Sequence, residues 1–340
     1  MNARINSIDF LRGVAILFML AANAWPELYP FDETPVLLRI VYSTAAPIFI
    51  FLSGVSIRIV QESGKSTGQV WKRSLQILAL GALIDVLVWQ INPFATYDVL
   101  YLIGVSSILV WYIGRLSSDT LKWSIALLFL VLHLFFLSHY QFDMTDVPMT
   151  EFPDAYSYPG TIKRMFLDGW FPIFPWFGVS LLGYLTFAHR SYLASKRNVF
   201  LITGIFCLLL FPAQYFMGGD VQLIRGGYVE LFYPVKNWFY MHLAGVFSII
   251  IWSYFLHIES FRWVRRIGSY SLSIYVFHTI YIHFLLPHFE QEASSFSWFI
   301  LLALLTSLML CTFLLGYVLQ KYALQFKLGK LKWMGFLIGM

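Results

Sequence analysis

The chain is short of charge and nearly free of cysteine. Charged residues make up 12% of its 340 positions, against about one quarter in soluble domains. That is too little to cover a soluble globule of this length. The two cysteines, Cys207 and Cys311, both fall inside apolar stretches. They specify neither a disulfide framework nor a metal site and read as packing residues. Glycine-rich phosphate loops, metal-ligand clusters, flavin signatures, haem motifs, internal repeats and low-complexity tracts are all missing. No basic tract is interleaved with aromatics in a polar region. The net charge of +5 therefore carries no expectation of a nucleic-acid partner.

What fills the chain instead is apolar. Hydrophobic residues reach 59%, with 33 Phe, 20 Tyr and 12 Trp. A helix that crosses a bilayer needs about 20 mostly apolar residues. On that measure ten stretches qualify: 11–26, 38–60, 73–91, 97–114, 121–138, 171–188, 198–217, 239–257, 268–287 and 297–319. The sequence thus predicts an all-α membrane bundle of about ten transmembrane helices forming one domain over 1–340. The first run follows Arg4 and Arg12 and resembles a signal peptide, but the charge pattern works best if it is retained.

Charge at the joins sets the expected orientation. One set carries Arg58, Lys65, Lys72 and Arg73, then Arg115 and Lys122, then Arg190, Lys196 and Arg197, then Arg262, Arg265 and Arg266. A basic tail over 320–340 adds Lys321, Lys327, Lys330 and Lys332. The opposite joins hold Glu27, Asp32, Glu33, Asp143, Asp146, Glu151 and Asp154. Positive residues favour the cytoplasmic face, so both ends are expected inside and the 139–170 segment outside. That segment caps a cavity, meets an extracytoplasmic substrate or simply connects.

Polar groups inside apolar runs are the candidates for chemistry. Asp9 and Arg12 lie three apart and share a helix face. They form a structural ion pair or hold an anionic donor such as coenzyme phosphates. Asn23 follows Arg12 by eleven positions, close to the same face and roughly 16 Å along a helix. It orients an acceptor or a carbonyl, or only packs. His278, between Tyr275 and Tyr281, is the foremost general-base candidate, since a neutral imidazole accepts the proton of an attacking hydroxyl or amine. A histidine bonded across helices for structural reasons would look the same. His242 is a second candidate near the outer face. Asp85, charged within an apolar run, faces a partner or a wet cavity. It would orient polar groups, take a proton or bond to a neighbour. Asp98 and Asp168 read as helix caps. Arg39 and Arg225, toward the outer side, suit an anionic sugar or lipid phosphate, or a structural pairing. Lys72-Arg73 and Arg265-Arg266 anchor the topology and suit anionic lipid.

Four blocks carry a family resemblance. They are Arg4-Ile5-Asn6-Ser7-Ile8-Asp9-Phe10-Leu11-Arg12-Gly13-Val14-Ala15-Ile16; 45–56, AAPIFIFLSGVS; 171–183, FPIFPWFGVSLLG; and 268–278, GSYSLSIYVFH. Together they resemble the heparan-alpha-glucosaminide N-acetyltransferase-like bacterial membrane proteins, within the wider membrane acyltransferase superfamily. The resemblance implies a multi-pass protein of the bacterial inner membrane. It implies acyl-CoA, with acetyl-CoA foremost, as cytoplasmic co-substrate, and a sugar, glycan or lipid-linked saccharide as acceptor opposite. Many members of the superfamily carry an arginine, ten residues and a histidine in the first helix. Arg12 matches the arginine, but Asn23 stands at the histidine. Related members often have a histidine before the Ala-Pro pair, where Ser43 stands here. Both departures leave open a scaffold with altered chemistry or none. A proton-coupled transporter of a small polar solute is the other alternative, weakened by the lack of an inverted repeat. Membrane lipids are expected partners, and small residues offer contacts for a homo-oligomer.

Overall fold

The computed structural model describes residues 5–28, 36–142, 154, 156–217, 224–225, 228–229, 239–256, 258 and 260–284. The chain divides into two compact units. The first contains α1 (Asn6–Leu28), α2 (Val36–Ser43), α12 (Arg262–Ser269) and α13 (Ser271–Phe284). The second contains α3 (Ala45–Glu62), α4 (Thr67–Ile84), α5 (Val99–Ile113), α6 (Asp119–His139), α7 (Tyr158–Lys163), α8 (Ile173–Ala188), α9 (Arg190–Ala194), α10 (Arg197–Met217) and α11 (Phe239–Ser253). A two-residue antiparallel pair, β1 (Ile224–Arg225) with β2 (Tyr228–Val229), is the strand structure among the described residues. The all-α expectation therefore stands.

The expectation of about ten transmembrane helices does not. Three helical stretches among the described residues are long and apolar enough to cross a membrane: Asn6–Ala24, Leu38–Glu62 and Asp119–His139. A fourth exists if Tyr158–Asp168 and Ile173–Ala188, bent by 47° at their junction, count as one broken span. The physical reason is that apolar runs in the sequence cross helix breaks. The expected 73–91 span begins at the cationic start of α4. It then passes into a wider π turn at Asp85–Trp89 and ends on left-handed Gln90. The expected 97–114 and 239–257 spans give helices of 15 residues each. At 1.5 Å per residue these reach about 22 Å, short of the roughly 30 Å hydrocarbon core. The expected 268–287 span is split between α12 and α13. The 297–319 span and the 320–340 tail lie outside the described residues. The inward placement of both ends was read from ten alternating crossings and loses its basis with that count.

The apolar helices nonetheless embed the protein partly in a membrane. Helix α6 leaves Leu127, Leu128, Val131 and Phe135 exposed, and α10 leaves Val199, Ile202, Phe206 and Leu209 exposed. Apolar side chains in such rows suit lipid and not water.

Local signals explain where helices start. Ser66 caps α4 in a reciprocal arrangement with Gln69, satisfying backbone donors that the first turn leaves free. Ser118 and Ser157 cap α6 and α7, and Asp98 caps α5 as its position suggested. Asp168 behaves otherwise. It is buried and pairs with Lys163 at 3.4 Å, while the Pro172 position begins α8 without a side-chain cap.

In the second unit α3 and α8 meet through glycines. A Cβ on Gly54 would land on the Ser180 carbonyl, and one on Gly183 on the Phe51 carbonyl. Ser53 and Ser180 join hydroxyls across this seam at 3.0 Å, the close packing that small residues permit.

Candidate functional site

Helix α1 is longer than the 11–26 run, so Asp9 and Arg12 lie within its first two turns. Asp9 sits near the positive end of the helix dipole, where a carboxylate is favoured. The Arg12 guanidinium donates to Asp9 Oδ1 at 3.2 Å, and 28% of its side chain stays exposed. Helix α12 presses on this end of α1. A Cβ on Gly13 would land on the Val264 carbonyl, and one on Gly268 on the Asp9 carbonyl.

Three turns along α1, Asn23 reaches α13. Its Nδ2 lies 2.9 Å from His278 Nε2. His278 is 1% exposed and Asn23 is exposed. The other ring nitrogen, Nδ1, faces two backbone carbonyls of its own helix, Tyr275 and, at 3.2 Å, Ile274. Carbonyls only accept, so Nδ1 carries the proton. In the neutral ring Nε2 is then the acceptor, and Asn23 donates to it. Tyr275 also stacks its ring edgewise on the imidazole at 5.1 Å, and its carbonyl takes a second hydrogen bond from the Thr279 hydroxyl at 2.8 Å. The ring is thus held on both sides with one basic nitrogen aimed at the first helix. Beside this pair Ala24, Tyr42 and Ile282 form a buried cluster joined by Phe18, Ala21, Ala22 and Leu38.

The arrangement brings together Asn23 and His278, residues 255 positions apart. It places Asp9 and Arg12 on the same helix as Asn23. Arg39 is buried on α2, on the turn before Tyr42, and Ser43, half-buried, ends that helix.

The remaining candidates belong to the second unit. Asp85 is 3% exposed, and its carboxylate is met locally. The Tyr101 hydroxyl donates to Oδ2, and the Phe94 amide donates to the same oxygen at 3.1 Å. His242 is buried against Phe211 and Phe239, with ring centroids 4.8 and 4.9 Å away. Neither of its ring nitrogens has a hydrogen-bond partner among the described residues. Arg225 lies in β1; its side chain is outside the described set. Asp154, in the 139–170 segment, accepts from the buried Arg164, which donates to both its carboxylate and its carbonyl at 3.1 Å.

Sequence reasoning missed the backbone acceptors at Ile274 and Tyr275 and the Tyr101 partner of Asp85. The i−3 and i−4 carbonyls behind a helical histidine are a recurrent signal that could have found the first. Nothing in the linear spacing points from Asp85 to Tyr101 across the left-handed turn at Phe94 and Tyr97.

The family model described as heparan-alpha-glucosaminide N-acetyltransferase, catalytic, matches residues 4–220. The match covers more than half of the chain, and the chain belongs to that family. It includes Asp9, Arg12, Asn23, Arg39, Ser43 and Asp85; His242 and His278 lie beyond it. Comparison with curated proteins finds no match.

Proposed function

We propose that this member of the heparan-alpha-glucosaminide N-acetyltransferase catalytic family transfers an acyl group, acetyl foremost, from acyl-CoA. The acceptor is a hydroxyl or amine of a sugar, glycan or lipid-linked saccharide. The observation that carries the reading is the Asn23–His278 hydrogen bond. It sets a buried imidazole, with its basic nitrogen defined, against the position where the superfamily resemblance leads one to expect a histidine.

The chemistry follows from that geometry. The acceptor O–H or N–H displaces the Asn23 amide at Nε2 and gives up its proton there as its heteroatom attacks the thioester carbonyl. The tetrahedral intermediate collapses with cleavage of the carbon–sulfur bond. The CoA thiolate leaves and recovers the proton from Nε2. Asn23, released from the ring, is placed to donate to the developing oxyanion. On the donor side, Arg12 with Asp9 is the candidate for the nucleotide phosphates. The roughly 16 Å of helix between Arg12 and Asn23 suits the reach of an extended pantetheine arm. Arg39 and Ser43 on α2 are acceptor-side candidates.

The test is release of free CoA thiol by purified protein in lipid nanodiscs. Acetyl- and longer acyl-CoA would each be paired with a panel of amino sugars and lipid-linked saccharides. Losing a general base costs typically 10²–10⁴-fold in rate, so His278→Ala should fall by about that factor with little change in donor binding. Acceptor-dependent turnover that survives His278→Ala within about threefold would remove His278 from the chemistry. Failure to bind any acyl-CoA in a folded sample would remove the transferase reading itself.

A further inference from the structure

Helix α12 carries a surface that the transfer reading does not use. Its inner face is Val264, Ile267 and Gly268, all buried. These residues seat it on residues 9–13 of α1, the first turns of the membrane-length helix Asn6–Ala24. Helix α12 therefore lies at the level where that span leaves the hydrocarbon. On the opposite face Arg262 and Arg266, four apart and so on one side of the helix, are both exposed. Among the described residues neither has an acidic partner. Two aromatics flank them, Phe261 at 52% and Trp263 at 56% exposure. Phe261 is braced by Phe10 of α1, ring centroids 5.6 Å apart.

A water-facing surface does not need two large bare aromatics beside two exposed guanidiniums. The boundary of an anionic leaflet does. Tryptophan settles at the headgroup level, phenylalanine belongs to the apolar side of interfacial helices, and arginine pairs bidentately with phosphate. We propose that the exposed face of α12, Phe261, Arg262, Trp263 and Arg266, is a headgroup-level docking surface for anionic phospholipid, holding a lipid phosphate between Arg262 and Arg266. The glycine seam with α1 makes this contact bear on the end of the helix that carries Arg12 and Asn23. Bound anionic lipid then braces the donor end of the candidate site.

The test is native mass spectrometry of the full chain released from micelles containing equal phosphatidylglycerol and phosphatidylcholine. Wild type is compared with the double variant Arg262→Gln/Arg266→Gln. Both substitutions lie opposite the seam, and melting temperature checks the fold. Wild type should retain phosphatidylglycerol preferentially. The double variant should bind it roughly thirty-fold more weakly, the loss expected for two basic residues at an anionic surface, with phosphatidylcholine unchanged. Trp263→Ser should weaken both lipids. A folded double variant that keeps its phosphatidylglycerol overturns the proposal. So does one that loses acyl-CoA binding while keeping lipid, since the guanidiniums would then serve nucleotide phosphate. A double variant that does not fold would overturn it too, by showing these side chains to be packing residues.

Discussion

Replacing Asn23 by aspartate changes one atom and reverses the demand on His278. In the native pair the amide donates to Nε2 at 2.9 Å while Nδ1 donates a hydrogen bond to the Tyr275 carbonyl. An ionised carboxylate at position 23 only accepts. The ring can then satisfy both neighbours only by carrying a proton on each nitrogen, and a doubly protonated imidazole takes no proton from an acceptor. Two unit charges at this separation attract by about 6 kcal/mol at an effective dielectric of 20. A third of that still favours the charged pair about thirtyfold. Acyl transfer by Asn23→Asp should therefore drop by the 10²–10⁴ expected for a missing general base. Asn23→Ala offers the control. It leaves the buried Nε2 without its donor at a cost of about 1–3 kcal/mol in stability, but keeps the lone pair free, so its rate should fall far less. Free-thiol release in nanodiscs measures the rates. The ¹⁵N spectrum of labelled histidine, read as the difference from His278→Gln, reports the protonation of each nitrogen without any substrate. If Asn23→Asp turns over within threefold of wild type, or if its His278 spectrum shows a neutral ring, the assignment of Nε2 as the base is wrong.

Two further outcomes probe the packing that holds the units together internally. Gly13→Ala would gain about 1 kcal/mol from helix propensity alone. Its Cβ, however, would land on the backbone carbonyl of Val264, which has no rotamer with which to yield. Overpacking of this kind costs about 1–3 kcal/mol, so thermal unfolding in detergent should shift downward, and an upward shift would refute the α1–α12 seam. Tyr101→Phe removes the hydroxyl that serves Asp85 and leaves the buried carboxylate with the Phe94 amide alone. A loss of about 1–3 kcal/mol is expected; unchanged stability would mean that the carboxylate is solvated.

How far the sequence was legible depends on what kind of signal each feature leaves. Apolar composition sufficed for helices and for membrane contact. Counting crossings needed more, because an apolar run looks continuous whether or not the backbone turns within it. Gln90, Phe94 and Tyr97 are non-glycine residues at φ of 55°, 67° and 51°. Asn92-Pro93, a usual turn dipeptide, stands in the break they make after α4, but the apolar run on either side of it reads as one span. Phe174 leaves helical geometry inside α8 because it precedes Pro175, whose ring disfavours the helical region for the residue before it. Polar residues in apolar runs were legible as candidates. Their partners were not, since Asn23 and His278 meet from opposite ends of the chain and Asp85 finds Tyr101 across an irregular turn.

The four resemblance blocks fall into place once the packing is known. The first and last meet in one unit, through the glycine contacts at Asp9 and Gly13 and the bond from Asn23, just beyond the first block, to His278. The second and third interlock in the other, through Gly54, Gly183 and the Ser53–Ser180 pair. Much of what makes such blocks recognisable is thus close backbone approach, which tolerates only hydrogen at Cα and so restricts sequence strongly. Chemistry restricts it differently. A proton acceptor can sit on any helix that reaches the reacting atoms. The family scaffold can therefore persist while the superfamily's first-helix histidine is absent, provided that another helix brings an imidazole to the same place. In the proposed mechanism helix α13 does so with His278, whose Nε2 lies 2.9 Å from the Asn23 amide. The seams read as architecture, and the Asn23–His278 contact is where a change of chemistry would be felt first.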